Sequence, residues 1–151
     1  MLDEKLKEIG NDRKCPIAVM MRDGKILTGN RHYTKANTKH DWKEISVWTI
    51  PGGRCDQGEI IGETLKREVR EEVGITEFEI LDFIGEVPGV KDGDIVPIFF
   101  CTTKQDAKLM EPEKFSEWRW LPVDEYIASE LYSGFNPTAR RMITNYLQNH
   151  K

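Results

Sequence analysis

Three glutamates, Glu68, Glu71 and Glu72, crowd one short stretch of the segment WTIPGGRCDQGEIIGETLKREVREEVGI, residues 48–75. Like charges three or four apart on a helix repel by a few tenths of a kcal/mol per pair, roughly. Either these carboxylates sit in water or something positive sits between them. At about 100° per residue they share a sector roughly 100° wide. Ile61, Leu65, Val69 and Val73 form an apolar stripe whose centre lies about 90° from that sector. The helix should therefore pack on a sheet and carry its carboxylates along the edge of the contact. A solvated charged face is the plain reading of such a run. The residues in front of it point elsewhere. Pro51-Gly52-Gly53 ends a strand with backbone that can turn sharply and approach a ligand closely. A strand, a glycine loop and a helix bearing oxygen ligands suit a hard divalent cation and the phosphates it bridges. Glu68 and Glu72, four apart, point the same way.

Gly53, Glu59, Arg67-Glu68, aliphatic Val69, Glu71-Glu72, Gly74 and aliphatic Ile75 fall at fixed spacing across residues 53–75. In this the sequence resembles the Nudix family at every fixed position of its signature box. The Pro-Gly-Gly lead-in and the later EPEKFSEWRWLPVDE are also similar to Nudix chains. One departure is Asp56, where many members carry glutamate; a carboxylate is kept. The resemblance implies an α/β/α sandwich with a mixed central sheet, in the α/β (α+β) class. It implies metal-dependent hydrolysis of a nucleoside diphosphate linked to another group. Glu68, Glu71 and Glu72 would ligate Mg²⁺ or Mn²⁺, with the Gly52 carbonyl as a further ligand. Glu68 is the foremost general base and Glu71 another catalytic carboxylate. Arg67 and Glu59 would orient the ligands, a role typically worth 10- to 100-fold in affinity or activity, roughly.

Residues outside the box are candidates for substrate contacts. Family members often supply another glutamate from a loop before a late strand. Glu111, Glu113 and Glu117 are the candidates, and Glu113 is favoured. Arg31, His32, Lys35, Lys39 and His40 form a basic stretch able to meet phosphates, or simply a solvated loop. Trp42, Tyr33 and Phe135 could stack on a base, whereas Trp118 and Trp120 share a strand face and read as core. Pro88 sits near where ADP-ribose-type members often carry a proline. A nucleoside or deoxynucleoside triphosphate is the first expectation for substrate. ADP-ribose or another nucleotide sugar is the alternative, and a catalytically silent nucleotide-binding module is a third reading.

The elements that must position this box are legible. Strand patterns at CPIAVMMR and KILTGNR flank an Asp23-Gly24 turn. ISVWTI leads into the glycines. Residues 60–73 read as helix, stopped by Gly74. TEFEILDFIGEV, DIVPIFFCTT and EWRWLPV read as strands. Helices are expected near 2–9, 123–131 and 137–149, with residues 31–43 as loop. One domain over residues 1–151 is expected, since 151 residues can bury about two-thirds of their unfolded surface. A net charge of −4 argues against duplex nucleic acid as partner. No apolar run reaches the roughly 18 residues of a membrane span. Three scattered cysteines fit reduced thiols. A cytoplasmic protein, a monomer or homodimer acting on a small nucleotide, is the resulting expectation.

Overall fold

The computed structural model describes residues 1–33, 45–132 and 136–150. Its elements are α1 (Leu2–Lys7), β1 (Ile17–Arg22), β2 (Lys25–Tyr33), β3 (Ile45–Thr49), α2 (Ile61–Val73), β4 (Phe78–Pro88), β5 (Ile95–Thr103), β6 (Phe115–Pro122), α3 (Val123–Ala128) and α4 (Pro137–Asn149). A 3₁₀ turn at Glu130–Tyr132 lies between the last two helices. Asp23 and Gly24, both at positive φ, close the β1–β2 hairpin, as a two-residue type I′ loop requires. Gly74 ends α2 in the left-handed conformation at φ 69°, its amide bonded to Arg70 O.

The strands form one six-stranded mixed sheet, in the order β3-β2-β1-β5-β4 with β6 also paired to β2. β1 and β5 run parallel, and the other pairs are antiparallel. Strand β2 carries β6 along one edge. Its other edge is shared in succession by β1, opposite Lys25 and Ile26, and by β3, opposite Gly29 to Tyr33. The sheet forks where β1 and β3 part. β2 runs on through Arg31, His32 and Tyr33, so these three residues are strand and not the loop expected there. Pairing with Ile45, Ser46 and Val47 holds them in the sheet.

Alternation along β1 divides the core. Ala18 and Met20 face α2, burying its Ile61, Leu65, Val69 and Val73 stripe together with Phe99 and Cys101. Val19 faces the other way, with Ile26, Ile98, Tyr126, Ile143 and Leu147 under α3 and α4. This is the α/β/α sandwich. Trp118 and Trp120 pack partly buried against the α2 layer, as core residues do. α1 crosses α2 at Gly62, where an added Cβ would stand 3.0 Å from Leu6 O. That close approach accounts for a poor helix former near the helix start.

Candidate active site

The box loop is sewn into the fork. Pro51 O accepts from Ala18 N at 2.8 Å, and Gly53 N donates to Pro16 O at 3.1 Å. Further along, Cys55 N donates to Lys14 O, Gly10 N to Glu59 O, Gly58 N to Gly10 O, and Ile61 N to Glu8 O, all within 2.7–3.1 Å. Residues 8–18 thus line the loop with backbone partners, as buried peptide groups require. Two glycines let the loop meet its neighbours. A Cβ on Gly52 would stand 2.5 Å from Pro16 O, and one on Gly53 only 2.3 Å from Glu68 Cδ.

Arg67 is the hub of the acidic cluster. Its Nε and Nη2 hold Glu59 Oε2 and Oε1 at 2.8 and 2.9 Å. Its Nη1 reaches Glu68 Oε1 at 2.8 Å and Glu71 Oε2 at 3.3 Å. Nη2 also donates to Arg54 O at 3.2 Å. This guanidinium pulls the Glu59 carboxyl down to about 2, against the cost of burial, with help from the Thr64 hydroxyl and the Asp56 amide. Glu68 shifts the other way. Its burial, and the nearby charges of Glu71 and Glu111, outweigh Arg67 and push it up. Glu72 is 6% exposed. Its Oε1 accepts from Gly52 N at 2.8 Å. Burial above all, then Glu68 and Glu111, raise Glu72 to about 8, opposed by the Gly52 amide and by Arg31. The carboxylates thus differ sharply. Glu71 is half exposed, Glu68 lies over Gly53, and Glu72 is inside the sheet–helix contact.

Of the expected outer residues, Arg31 comes closest. Its guanidinium lies over the Tyr33 ring at 4.9 Å and the Phe115 ring at 5.2 Å, and its charge acts on Glu72. Its Nε is buried without a hydrogen-bond partner. Among the late-loop glutamates, Glu111 is the one whose charge acts on both Glu68 and Glu72. Lys114 hooks it back at 3.2 Å, and it is half-buried. Glu113, the residue favoured from sequence, is exposed on the turn, and Glu117 pairs with Arg119. Glu111 thus stands beside Glu113 as a candidate for the acidic edge. His32 bonds Ser46 Oγ through Nδ1. Trp42, Lys35, Lys39, His40 and Phe135 lie outside the described residues.

Beside the box loop, between the sheet and α4, opens a cavity of about 530 Å³. Tyr33, Tyr126 and Tyr132 line it with Ile17, Ile50 and Ile143, and Arg54 stands on its wall. The glutamates are not part of its lining; Arg54 and Tyr33 connect the two. Arg140 is also on the wall. Its Nη2 holds Ile127 O and Ser129 O, and its Nε is buried without a partner. Tyr33 is one of the rings expected to stack on a base, whereas Arg140, Tyr126 and Tyr132 do not stand out from the sequence, because nothing in a helix or turn pattern says which polar residue will face a hollow.

Among the described residues no three acidic, His or Cys side chains converge on one point as metal ligands. The reason is visible: Arg67 gathers Glu59, Glu68 and Glu71, while Glu72 turns to the Gly52 amide. The donor set nevertheless fits a hard cation. It is oxygen throughout, and Glu72, buried, and Glu68, partly buried, are carboxylates whose charge burial disfavours. At Gly52 the amide faces Glu72.

The profile of the NUDIX domain matches residues 13–146. The chain belongs to the Nudix family. Nudix proteins are hydrolases of phosphoric anhydride bonds that act on nucleotide substrates and need a divalent metal ion, and this chain is such a pyrophosphohydrolase. An RNA pyrophosphohydrolase from Wolbachia pipientis subsp. Culex pipiens (strain wPip) is 29% identical over 140 residues, spanning 79% of this chain and 80% of that protein. The fold is shared with the MutT protein of Methanosarcina mazei Go1. That likeness has a TM-score of 0.69 at 22% identity and covers 94% of this chain and 97% of that one. An ADP-ribose pyrophosphatase from Streptococcus suis 89-1591 superposes with a TM-score of 0.66 at 17% identity, over 93% of each chain. Among the described residues no helix is long and apolar enough to cross a membrane.

Proposed function

We propose that this Nudix hydrolase, as one domain over residues 1–151, cleaves a nucleoside triphosphate or deoxynucleoside triphosphate to the nucleoside monophosphate and the phosphorylated remainder. The observation that carries the reading is the unlike pair of partly buried Glu68 and buried Glu72 against Gly53 and Gly52, beside an aromatic-lined cavity. Glu68, Glu71 and Glu72 hold Mg²⁺ or Mn²⁺, with Glu111 completing the acidic edge. When bound, the cation neutralises phosphate charge and acidifies water. Glu68 takes the proton of the attacking water. Its Oε1 is committed to Arg67, which leaves Oε2, the oxygen lying over Gly53, to receive it. The water oxygen bonds to phosphorus as the anhydride P–O bond breaks, and the leaving phosphate departs with that electron pair. Arg67 and Glu59 keep Glu68 and Glu71 oriented. Arg31 meets phosphate oxygens, and the cavity takes the base.

The relatives named RNA pyrophosphohydrolase favour a second reading within the same chemistry, a triphosphate at the end of an RNA chain. A nucleotide sugar such as ADP-ribose is the alternative from the neighbour of that name. The test is a turnover screen with Mg²⁺ and Mn²⁺ over nucleoside triphosphates, triphosphate-ended RNA, ADP-ribose and other nucleotide sugars. In ¹⁸O-labelled water the label is expected in a phosphate-containing product. Label only in a non-phosphorylated product, or no turnover of any of these, would overturn the reading.

A further inference from the structure

One side chain of the box loop does not face the carboxylates. Arg54, next to Gly53, points the opposite way. Its Nη1 and Nη2 grip Asp94 Oδ1 and Oδ2 at 2.9 and 2.8 Å, and Nη1 also donates to Asp12 O at 2.6 Å. Two parallel charge-assisted bonds fix direction as well as distance. Asp94 is 5% exposed, a burial that a carboxylate tolerates only when paired. Arg13 stands 3.6 Å away on the same carboxylate. The Asp94 backbone in turn shapes the β4–β5 turn. Its amide donates to Lys91 O at 3.1 Å, and its carbonyl accepts from Gly89 N at 2.7 Å. Gly89 lies so near that an added Cβ would come within 2.6 Å of Asp94 Cβ. Gly89, Val90 and Lys91 are the stretch of this turn that lines the cavity.

Arg54 thus has two attachments. Its carbonyl rests on Arg67, the hub of the acidic cluster. Its guanidinium holds the turn that walls the cavity. We propose that Arg54 and Asp94 are positioning residues that hold the cavity wall in register with the acidic cluster, so that a nucleotide seated in the cavity presents its anhydride to Glu68. This rests on the reading above, in which the cavity takes the nucleoside and the box glutamates do the chemistry. Misplacing a substrate by about 1 Å can cost on the order of 100-fold in rate, so a fixed register matters even though neither residue touches the reacting atoms. Arg54→Lys keeps the charge and loses the fork.

The test compares wild type, Arg54→Lys, Asp94→Asn and the double variant. The steady-state constants are read for the best substrate of the screen. Mn²⁺ affinity is read without nucleotide, by electron paramagnetic resonance, and amide exchange is read at residues 89–94. Each single variant is expected to lose about tenfold or more in kcat/KM, chiefly through kcat, and the double variant no more than the worse single. Exchange at Gly89 and Asp94 should quicken while the α2 amides keep their rates and Mn²⁺ affinity stays within about twofold of wild type. Unchanged kcat/KM, independent additive losses, or Mn²⁺ affinity falling in step with activity would overturn the positioning role. The last would mark the pair as general structural support. If Asp94→Asn fails to fold, Arg54→Lys decides alone, by whether its loss lies in kcat with Mn²⁺ affinity kept. An inactive wild type would overturn the proposed reaction and this role with it. An active wild type with unaffected variants overturns this role alone.

Discussion

At the scale of single residues, the box separates carboxylates by environment. Glu59 is tied to Arg67 and held down to about 2, whereas Glu72 is buried and pushed up to about 8. The first pairs with Arg67, and the second is the carboxylate proposed above to take a cation. Glu72→Gln should leave the fold intact and abolish turnover by several orders of magnitude. Without metal at neutral pH burial keeps the folded Glu72 largely protonated while its unfolded form is ionised, a proton-uptake cost that glutamine avoids, so the metal-free melting temperature should hold or rise. Turnover near wild type at saturating Mg²⁺ would sink the ligand assignment. Glu59 makes a separate claim about acid. Its folded pKa lies below the unfolded one, so its stabilisation is present above the ordinary carboxylate range near 4.5 and is lost as pH falls toward 2. Thermal melts taken between pH 5 and pH 2 should therefore decline more steeply for wild type than for Glu59→Gln. Parallel curves would show that the pair contributes nothing.

Among the elements, α2 is where local rules and site chemistry coincide. The Ile61, Leu65, Val69 and Val73 stripe, the Gly74 stop and the carboxylate edge were all readable from spacing, because periodicity and end signals are local. The hairpin at Asp23-Gly24 was readable for the same reason. Three features were not. β2 runs through Tyr33 because β3 pairs with it, and a polar RHY stretch carries no sign of a partner strand. The charge of Glu111 acts on Glu68 and Glu72, and a run of late glutamates carries no local sign of which of them does so. Arg54 and Asp94 are forty residues apart and meet only once β4 and β5 have formed. Helix and loop must also touch without a side chain between them. Gly53→Ala would drive a methyl into the Glu68 carboxylate. It should cost on the order of 100-fold in kcat with a smaller change in stability. Leu65→Ala should do the reverse, losing about 2–5 kcal/mol of unfolding free energy in denaturant titrations while surviving molecules keep their turnover. If Gly53→Ala is fully active, the close approach has no bearing on catalysis.

For the whole molecule, the acidic cluster predicts how ligands and folding are linked. A ligand that binds only the native state stabilises it by about 2.7 kcal/mol at a hundredfold excess over Kd. Mg²⁺ sheds water reluctantly and favours sites that add phosphate oxygens. Mg²⁺ alone should raise the melting temperature slightly. Mg²⁺ with a non-hydrolysable nucleotide should raise it by more than the two separate shifts together. Glu68→Gln should remove most of that excess. Simple additivity would mean that the glutamates do not bridge cation and phosphate, and the solvated face would return as the better account.

The strip of backbone from Glu8 to Ala18 that borders the box loop bears on where this domain can be cut. The matching family region opens at residue 13, inside that strip. A chain trimmed to that boundary would forfeit the Gly10 bonds to Glu59 and Gly58, the Glu8 carbonyl that receives Ile61 N, and the cover of Leu6 over Gly62. The loss would fall on the amide ends of the loop and of α2, a part of the molecule far along the chain from the deletion. Deleting residues 1–12 should therefore lower kcat and loosen amide exchange across residues 55–62 while the β4–β5 pair keeps its protection. A shortened chain with native exchange in that loop would show that the N-terminal strip merely rests against it.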